Sequence, residues 1–206
     1  MPAYRSVQMT MFPMPLGGRR AGVIAAAVLV CVAMTADSAA RQRATEHEIK
    51  GELVSRLVDF VTWPEGASAN NSDPFVVGVL GESPIVAALD DALRGRSTRG
   101  RSFAIRTYSR LEGLQLGSAP GILFVSASES DHYRSVVLAV EGLSVLTVGE
   151  ETAFVLAGGM LDIRIVNGSP RIEIALARAT ALGFRFDSRL LEISEIFASH
   201  AASGGG

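Results

Sequence analysis

GILFVSASESDHYRSVVLAVEGLSVLTVG, Gly121 to Gly149, is the stretch on which the fold turns. Two apolar runs, GILFVSA (121–127) and LSVLTVG (143–149), flank a polar SESD and the helix-spaced YRSVVLAVEG. A short apolar run without polar alternation reads as a strand buried on both faces. Two such runs joined by a helical crossover are the mark of a parallel sheet. Ser128 or Ser130 is expected to cap the helix between them.

Working outward, FVVGVLG (75–81) is a third run of the same kind, after which Ser83 and Pro84 start the helix IVAALDDAL. RGRSTRGR (94–101) leads into SFAIRTY, where Phe103 and Ile105 alternate with Ala104 and Arg106 as in a strand. Upstream, Ile49, Leu53, Leu57 and Phe60 recur at helical spacing, with Val54, Val58 and Val61 beside them, so Glu46 to Trp63 is expected to form an amphipathic helix ended by Pro64. The expected fold class is α/β: a mostly parallel sheet with helices on both faces, Rossmann-like and three-layered, plus a C-terminal antiparallel β-hairpin.

That hairpin lies in AFVLAGGMLDIRIVNGSPRIEIAL (153–176), where Leu161, Ile163 and Ile165 precede an Asn-Gly turn and Ile172, Ile174 and Leu176 follow it. A two-residue Asn167-Gly168 loop sets Arg164 opposite Arg171 and Asp162 opposite Glu173, whereas a four-residue NGSP loop sets Arg164 opposite Glu173. Facing like charges are unfavourable, so the four-residue loop is expected. ARATALG reads as a short helix stopped by Gly183, and SRLLEISEIF (188–197) as a last amphipathic helix.

Arg19 and Arg20 precede the uncharged AGVIAAAVLVCVAMTA, and small residues follow at 38–40, which is the pattern of a secretory signal peptide over residues 1–40. The run is shorter than the ~20 residues of a membrane span, so no membrane insertion of the mature chain is expected. Val28, Leu29 and Val30 before Cys31 disfavour a lipoprotein signal. Residues 41–198 are then a single domain and 199–206 a flexible tail. The mature chain keeps 16 of the 19 basic and 20 of the 21 acidic residues, a mildly acidic balance without the footprint of a nucleic-acid binder. Its only cysteine, Cys31, leaves with the signal.

No catalytic constellation emerges. Gly158-Gly159 enters a strand where a phosphate loop needs a helix terminus behind it. HEIKG at His47 has Gly51 where a zinc-protease motif needs its second histidine. SESDHYR crowds Ser, Asp and His onto one helix start, and no GxSxG elbow exists. Glu150 and Glu151 follow a strand end, where α/β sites lie, though a solvated helix N-terminus accounts for them as well. Arg94, Arg96, Arg99 and Arg101 form either a solvated loop or a surface for an acidic partner. Trp63 is either core or an interface anchor. No cofactor or metal is expected.

Seven segments in order resemble the YfiR family of periplasmic proteins. EIKGELVSRLVDFVTWP ends in its F-x-x-W-P, here Phe60, Trp63 and Pro64; FVVGVLGESP, GILFVSASES and VLTVGE resemble its strand segments; and AGGMLDI, RIEIAL and DSRLLEI resemble its C-terminal signatures. The resemblance runs from about residue 48 to 193. It implies a non-enzymatic repressor that binds the periplasmic sensor domain of an inner-membrane diguanylate cyclase (YfiN-like), lowering cyclic di-GMP and biofilm formation, and it implies a homodimer. A small-ligand module built on the strand ends at Gly81–Ser83 and Gly149–Glu151 is the alternative. Partner-contact candidates are Phe60, Trp63, Arg96, Arg99, Leu191 and Phe197. Two departures stand out: the cysteines of many relatives are missing, which excludes disulfide control, and Ala175 replaces the asparagine of the F-E-I-N motif.

Overall fold

The apolar runs form the centre of the sheet. In a computed structural model describing residues 41–65, 73–115 and 119–197, strand β2 (Phe75–Leu80) is buried along its whole length, as are β5 (Ile122–Val125) and β6 (Leu146–Gly149). The chain divides into two compact units, Met1–Gln42 and Arg43–Gly206, and the sheet belongs to the second. The expected signal peptide of residues 1–40 and the expected tail of 199–206 lie outside the described residues.

The remaining elements are α1 (43–60 within this unit), β1 (Val61–Thr62), α2 (Ile85–Leu93), β3 (Ser97–Thr98), β4 (Arg101–Tyr108), α3 (Tyr133–Ala139), α4 (Thr152–Leu156), β7 (Leu161–Val166), β8 (Ser169–Ile174), α5 (Leu176–Ala181), β9 (Arg185–Phe186), α6 (Ser188–Glu192) and β10 (Ser194–Ile196). The main sheet has the order β10-β8-β7-β6-β5-β2-β4-β3, and a separate ribbon pairs β1 with β9. Within the main sheet β3–β4 and β7–β8 are antiparallel and the other pairs parallel. One sheet face packs on α1, α2, α5 and α6 through Val54, Leu57, Leu89, Leu93, Ala179 and Leu190. The other packs on α3 and α4 through Val136, Val137 and Phe154. This is the expected three-layer α/β architecture, with the expected hairpin.

The hairpin register is a correction. Arg164 pairs with Arg171 and Asp162 with Glu173, so the loop has two residues and not four. Asn167 (φ 53°) and Gly168 (φ 76°) both take left-handed backbone, which is the tight turn that Asn-Gly favours and whose twist matches the flanking strands. The charge conflict is resolved sideways. Arg164 leans between the two facing carboxylates, with Nη2 3.0 Å from Glu173 Oε2 and Nε on Asp162, while Arg171 turns to Glu195 at 3.4 Å.

Three smaller expectations also change. The first helix stops at residue 60, and Val61–Thr62 pairs with β9, so Trp63 follows a strand. The expected last helix ends at Glu192; Ser194–Ile196 runs parallel to β8 and Phe197 N donates to Ile174 O at 2.8 Å. An open strand edge offers this segment backbone partners that a longer surface helix would not need to supply to β8. Neither Ser128 nor Ser130 caps α3: Ser126 caps the 3-10 turn of residues 127–132, its Oγ accepting from Ser128 N, and α3 has no side-chain cap. At the hairpin entrance Gly158 has φ 105°, and a Cβ on Gly159 would sit 2.3 Å from the Phe154 ring. The glycine pair therefore serves backbone geometry and close approach, as its position before a strand suggested.

Candidate functional site

From β2 the chain passes to β4 on one side and then to β5 on the other, so the order reverses between β2 and β5. In open α/β sheets the crevice at the carboxyl ends of those strands is where ligands bind. Here the protein's own side chains fill it. Lys50, brought there by α1, donates to Glu150 Oε2 at 2.7 Å, and both side chains are about nine-tenths buried. Glu150 Oε1 accepts from Ala127 N at 2.8 Å. Ser126 Oγ donates to Glu82 O at 2.7 Å, and Glu82 N donates to Ser128 Oγ at 3.0 Å. A Cβ on Gly81 would lie 2.4 Å from Ser128 Oγ. Glu150 is thus a buried clamp and not the solvated helix start that its sequence context favours.

The network extends sideways to β7. Tyr133 Oη donates to Glu151 Oε2 at 3.2 Å, and its phenol is pushed well above its ordinary range, first by burial and then by the Glu151 charge. Asp162 is fully buried; burial raises its carboxyl to about 6 against the opposing pull of Arg164, and its Oδ1 has no hydrogen-bond partner. The alternation of Asp162 with Leu161 and Ile163 reads as a solvent-facing position. Because helices cover both faces, that position is interior. Among the described residues no cluster of histidine, cysteine and carboxylate side chains could hold a metal ion.

The opposite end of the sheet gathers most of the partner-contact candidates. Trp63 Nε1 donates to Gly121 O at 3.1 Å, and its ring meets Phe75 and Phe184 edge-on at centroid distances of 5.3 and 6.2 Å. Asp187 N donates to Phe60 O at 2.8 Å, tying α6 to the end of α1. The Arg189 guanidinium lies 5.1 Å over the Phe60 ring and forks onto Asp187, whose carboxyl its hydrogen bonds lower to about 2. Leu191 sits on the same α6, partly buried against the core. Arg96 reaches back to Ser55 Oγ (2.8 Å) and Asp59 (2.9 Å) on α1. Arg99, left-handed at φ 50°, is exposed. A shallow groove of about 340 Å³ runs between Asp59, Phe60 and Arg99 on one side and Arg185 and Asp187 on the other.

Phe197 is the exception among the candidates. It lies beyond β10 and lines a cavity together with Leu156 and Arg178. The most exposed large apolar side chains, Ile193 (69%) and Leu156 (66%), are absent from the sequence-derived candidates. Helical spacing across 188–197 gives Ile193 an inner face, which is lost where α6 ends at Glu192. Leu156 follows an apolar run that reads as core throughout.

The fold and this filled crevice describe a three-layer α/β domain whose open chemistry lies on its surfaces. The family model described as YfiR/HmsC-like matches residues 47–195, and the chain belongs to that family, one of periplasmic regulators of diguanylate cyclases. No curated protein matches. Among solved structures, an ABC domain in complex with L-Trp from Streptococcus pneumonia is similar at 12% identity and a TM-score of 0.49, covering 69% of this chain and 61% of that one. A conserved domain protein from Vibrio cholerae is similar at 12% identity and a TM-score of 0.49, covering 73% and 59%. This chain spans about six tenths of the length of those two. Among the described residues no helix is long and apolar enough to cross a membrane.

Proposed function

We propose that this protein is exported by its N-terminal segment and that it binds the periplasmic sensor domain of an inner-membrane, YfiN-type diguanylate cyclase, holding it inactive. The observation that carries this reading is the family match across residues 47–195. The amino-end face supports it chemically. A half-buried Trp63 and Phe60, bordered by Arg99 and Arg185 and by the ion pairs Arg96–Asp59 and Arg189–Asp187, combine an aromatic centre with a charged rim, the composition that protein interfaces favour. Repression needs no chemistry of its own. A ligand that binds the inactive cyclase more tightly than the active one shifts the equilibrium by that difference.

The rival reading, a small-ligand module at the strand ends, has less support, because Lys50, Glu150, Ser126 and Ser128 there bond to one another's strands and to the backbone. A homodimer belongs to the same proposal and is read by sedimentation of the exported chain. The functional test is co-purification with the periplasmic region of the cyclase, together with cyclic di-GMP measured in a deletion strain. A complex and a rise on deletion are expected; no complex and unchanged cyclic di-GMP would sink the proposal.

A further inference from the structure

Away from both ends of the sheet, a cavity of about 220 Å³ opens beside the start of β7. Its floor is made of small residues, Gly158, Ala175 and Ala177, and its walls are Val155, Leu156 and Phe197. Arg178 enters it from α5, and the Arg178 Nε is buried without a hydrogen-bond partner. Beside the cavity, outside its lining, a second guanidinium approaches Gly158 from α3. A point placed where Gly158 would carry a Cβ lies 3.7 Å from Arg134 Nη1 and 3.7 Å from Arg178 Cζ. The one bond that Arg134 makes there is a long donation to Ala157 O at 3.4 Å. Among the described residues neither guanidinium has a carboxylate in ion-pairing range, and no acidic side chain lines the cavity.

Two like charges from different helices converging on one glycine, with a buried donor unused, form an arrangement that an anion would stabilise. Leu156, two-thirds exposed at the rim, adds apolar surface with nothing over it. We propose that this cavity binds a small amphipathic monoanion, its carboxylate held by Arg134 and Arg178 over Gly158 and its short apolar body against Val155, Leu156 and Phe197. The volume falls below the roughly 300–1,000 Å³ of sites for drug-sized ligands, which selects a short organic acid. A zwitterion fits poorly, because its ammonium would be set beside two guanidiniums without an acceptor carboxylate. The occupant is a free molecule and not a lipid in a bilayer, since about 220 Å³ has room for only a short chain. The inference stands apart from the cyclase reading and is tested on the protein alone.

The probe is octanoate, titrated calorimetrically into the exported protein. Saturable one-to-one binding is expected, with octanol, octylamine, acetate and norleucine each at least tenfold weaker. Arg178→Gln and Arg134→Gln each remove a charge-assisted contact and should weaken octanoate about tenfold. Arg134 is exposed, so its variant carries the test if Arg178→Gln does not fold. Octanol binding as well as octanoate, unchanged affinity in folded variants, no saturable octanoate binding, or uptake onto anionic vesicles without it would each overturn the proposal.

Discussion

Helix α1 is pinned twice, midway along by Lys50 and just past its end by Trp63, and the two pins are made of opposite materials. At the carboxyl end of the sheet Lys50 is locked to Glu150 in a buried, directional ion pair. At the amino end Trp63 is held by rings and a single hydrogen bond to Gly121 O. The first end is costly to build and tolerates no loss of a partner. The second grips by contact area, so it remains adaptable and partly exposed. That contrast sets a crevice crossed by the protein's own hydrogen bonds at one end of the sheet against a partly exposed aromatic surface at the other.

The sharpest way to break the contrast is at Glu150. Glu150→Ala leaves the Lys50 ammonium buried without its carboxylate, a change that costs about 3–5 kcal/mol in such pairs. Urea unfolding of the single variant should show that loss. The double variant Lys50→Met with Glu150→Leu should recover much of it, because an apolar pair of similar volume removes the desolvation penalty. A double variant as unstable as the single would mean that Glu150 acts mainly through Ala127 N.

At the aromatic end, Trp63→Ala should cost about 2–4 kcal/mol, below the upper range for large aromatic truncations because the ring is only partly buried. Trp63→Phe keeps a ring between Phe75 and Phe184 and loses the bond to Gly121 O with part of the ring area, so about 1–2 kcal/mol is expected. Guanidinium or urea midpoints for the pair separate ring area from hydrogen bond. A Phe variant as damaging as Ala would make the hydrogen bond, and not the rings, the anchor.

Asp162 sharpens the contrast by pH. Its folded pKa, about 6, lies above the ordinary carboxylate value, so the folded state holds this proton longer than the unfolded chain. Its contribution to stability is therefore fully present below about pH 4 and lost as pH rises through 6. At roughly 1.4 kcal/mol per unit, the loss is on the order of 2–3 kcal/mol. Asp162→Asn cannot ionise, so the stability of the wild type relative to this variant should fall between pH 4 and 6 and level off above 7. A difference that is flat across that range would place Arg164 in full control of the carboxylate.

Most of the layer architecture was legible in the sequence because a continuous apolar run such as ILFV leaves few alternatives to a doubly covered strand. What was not legible shares one physical cause. Hairpin register was judged from pairwise charge, yet the backbone preference of Asn167-Gly168 outweighed it, and Arg164 satisfied both facing carboxylates diagonally. The end of the last helix depended on an open edge of β8 that exists only once the sheet has formed. The pairing of Lys50 with Glu150 joins residues 100 positions apart, and no local pattern announces it. Local chemistry decided the elements, and long-range contacts decided which of their polar residues would be interior.

The smallest expected effect on stability belongs to the basic rim of the amino end. Arg99 and Arg185 are exposed on either side of the groove beside Phe60. Replacing exposed side chains in this way changes stability by less than about 0.5 kcal/mol. In a proposed complex the same charges act on encounter, where rim residues govern association rate and its salt dependence more than dissociation. Arg99→Glu with Arg185→Glu should therefore leave the unfolding midpoint unchanged while slowing association with the cyclase's periplasmic region, and the slowing should shrink as salt screens the field. Trp63→Phe, by contrast, should act on dissociation. If the charge reversals leave the association rate untouched at low salt, the partner surface does not lie at this end, and the exposed apolar edge around Ile193 and Ile196 becomes the region to probe.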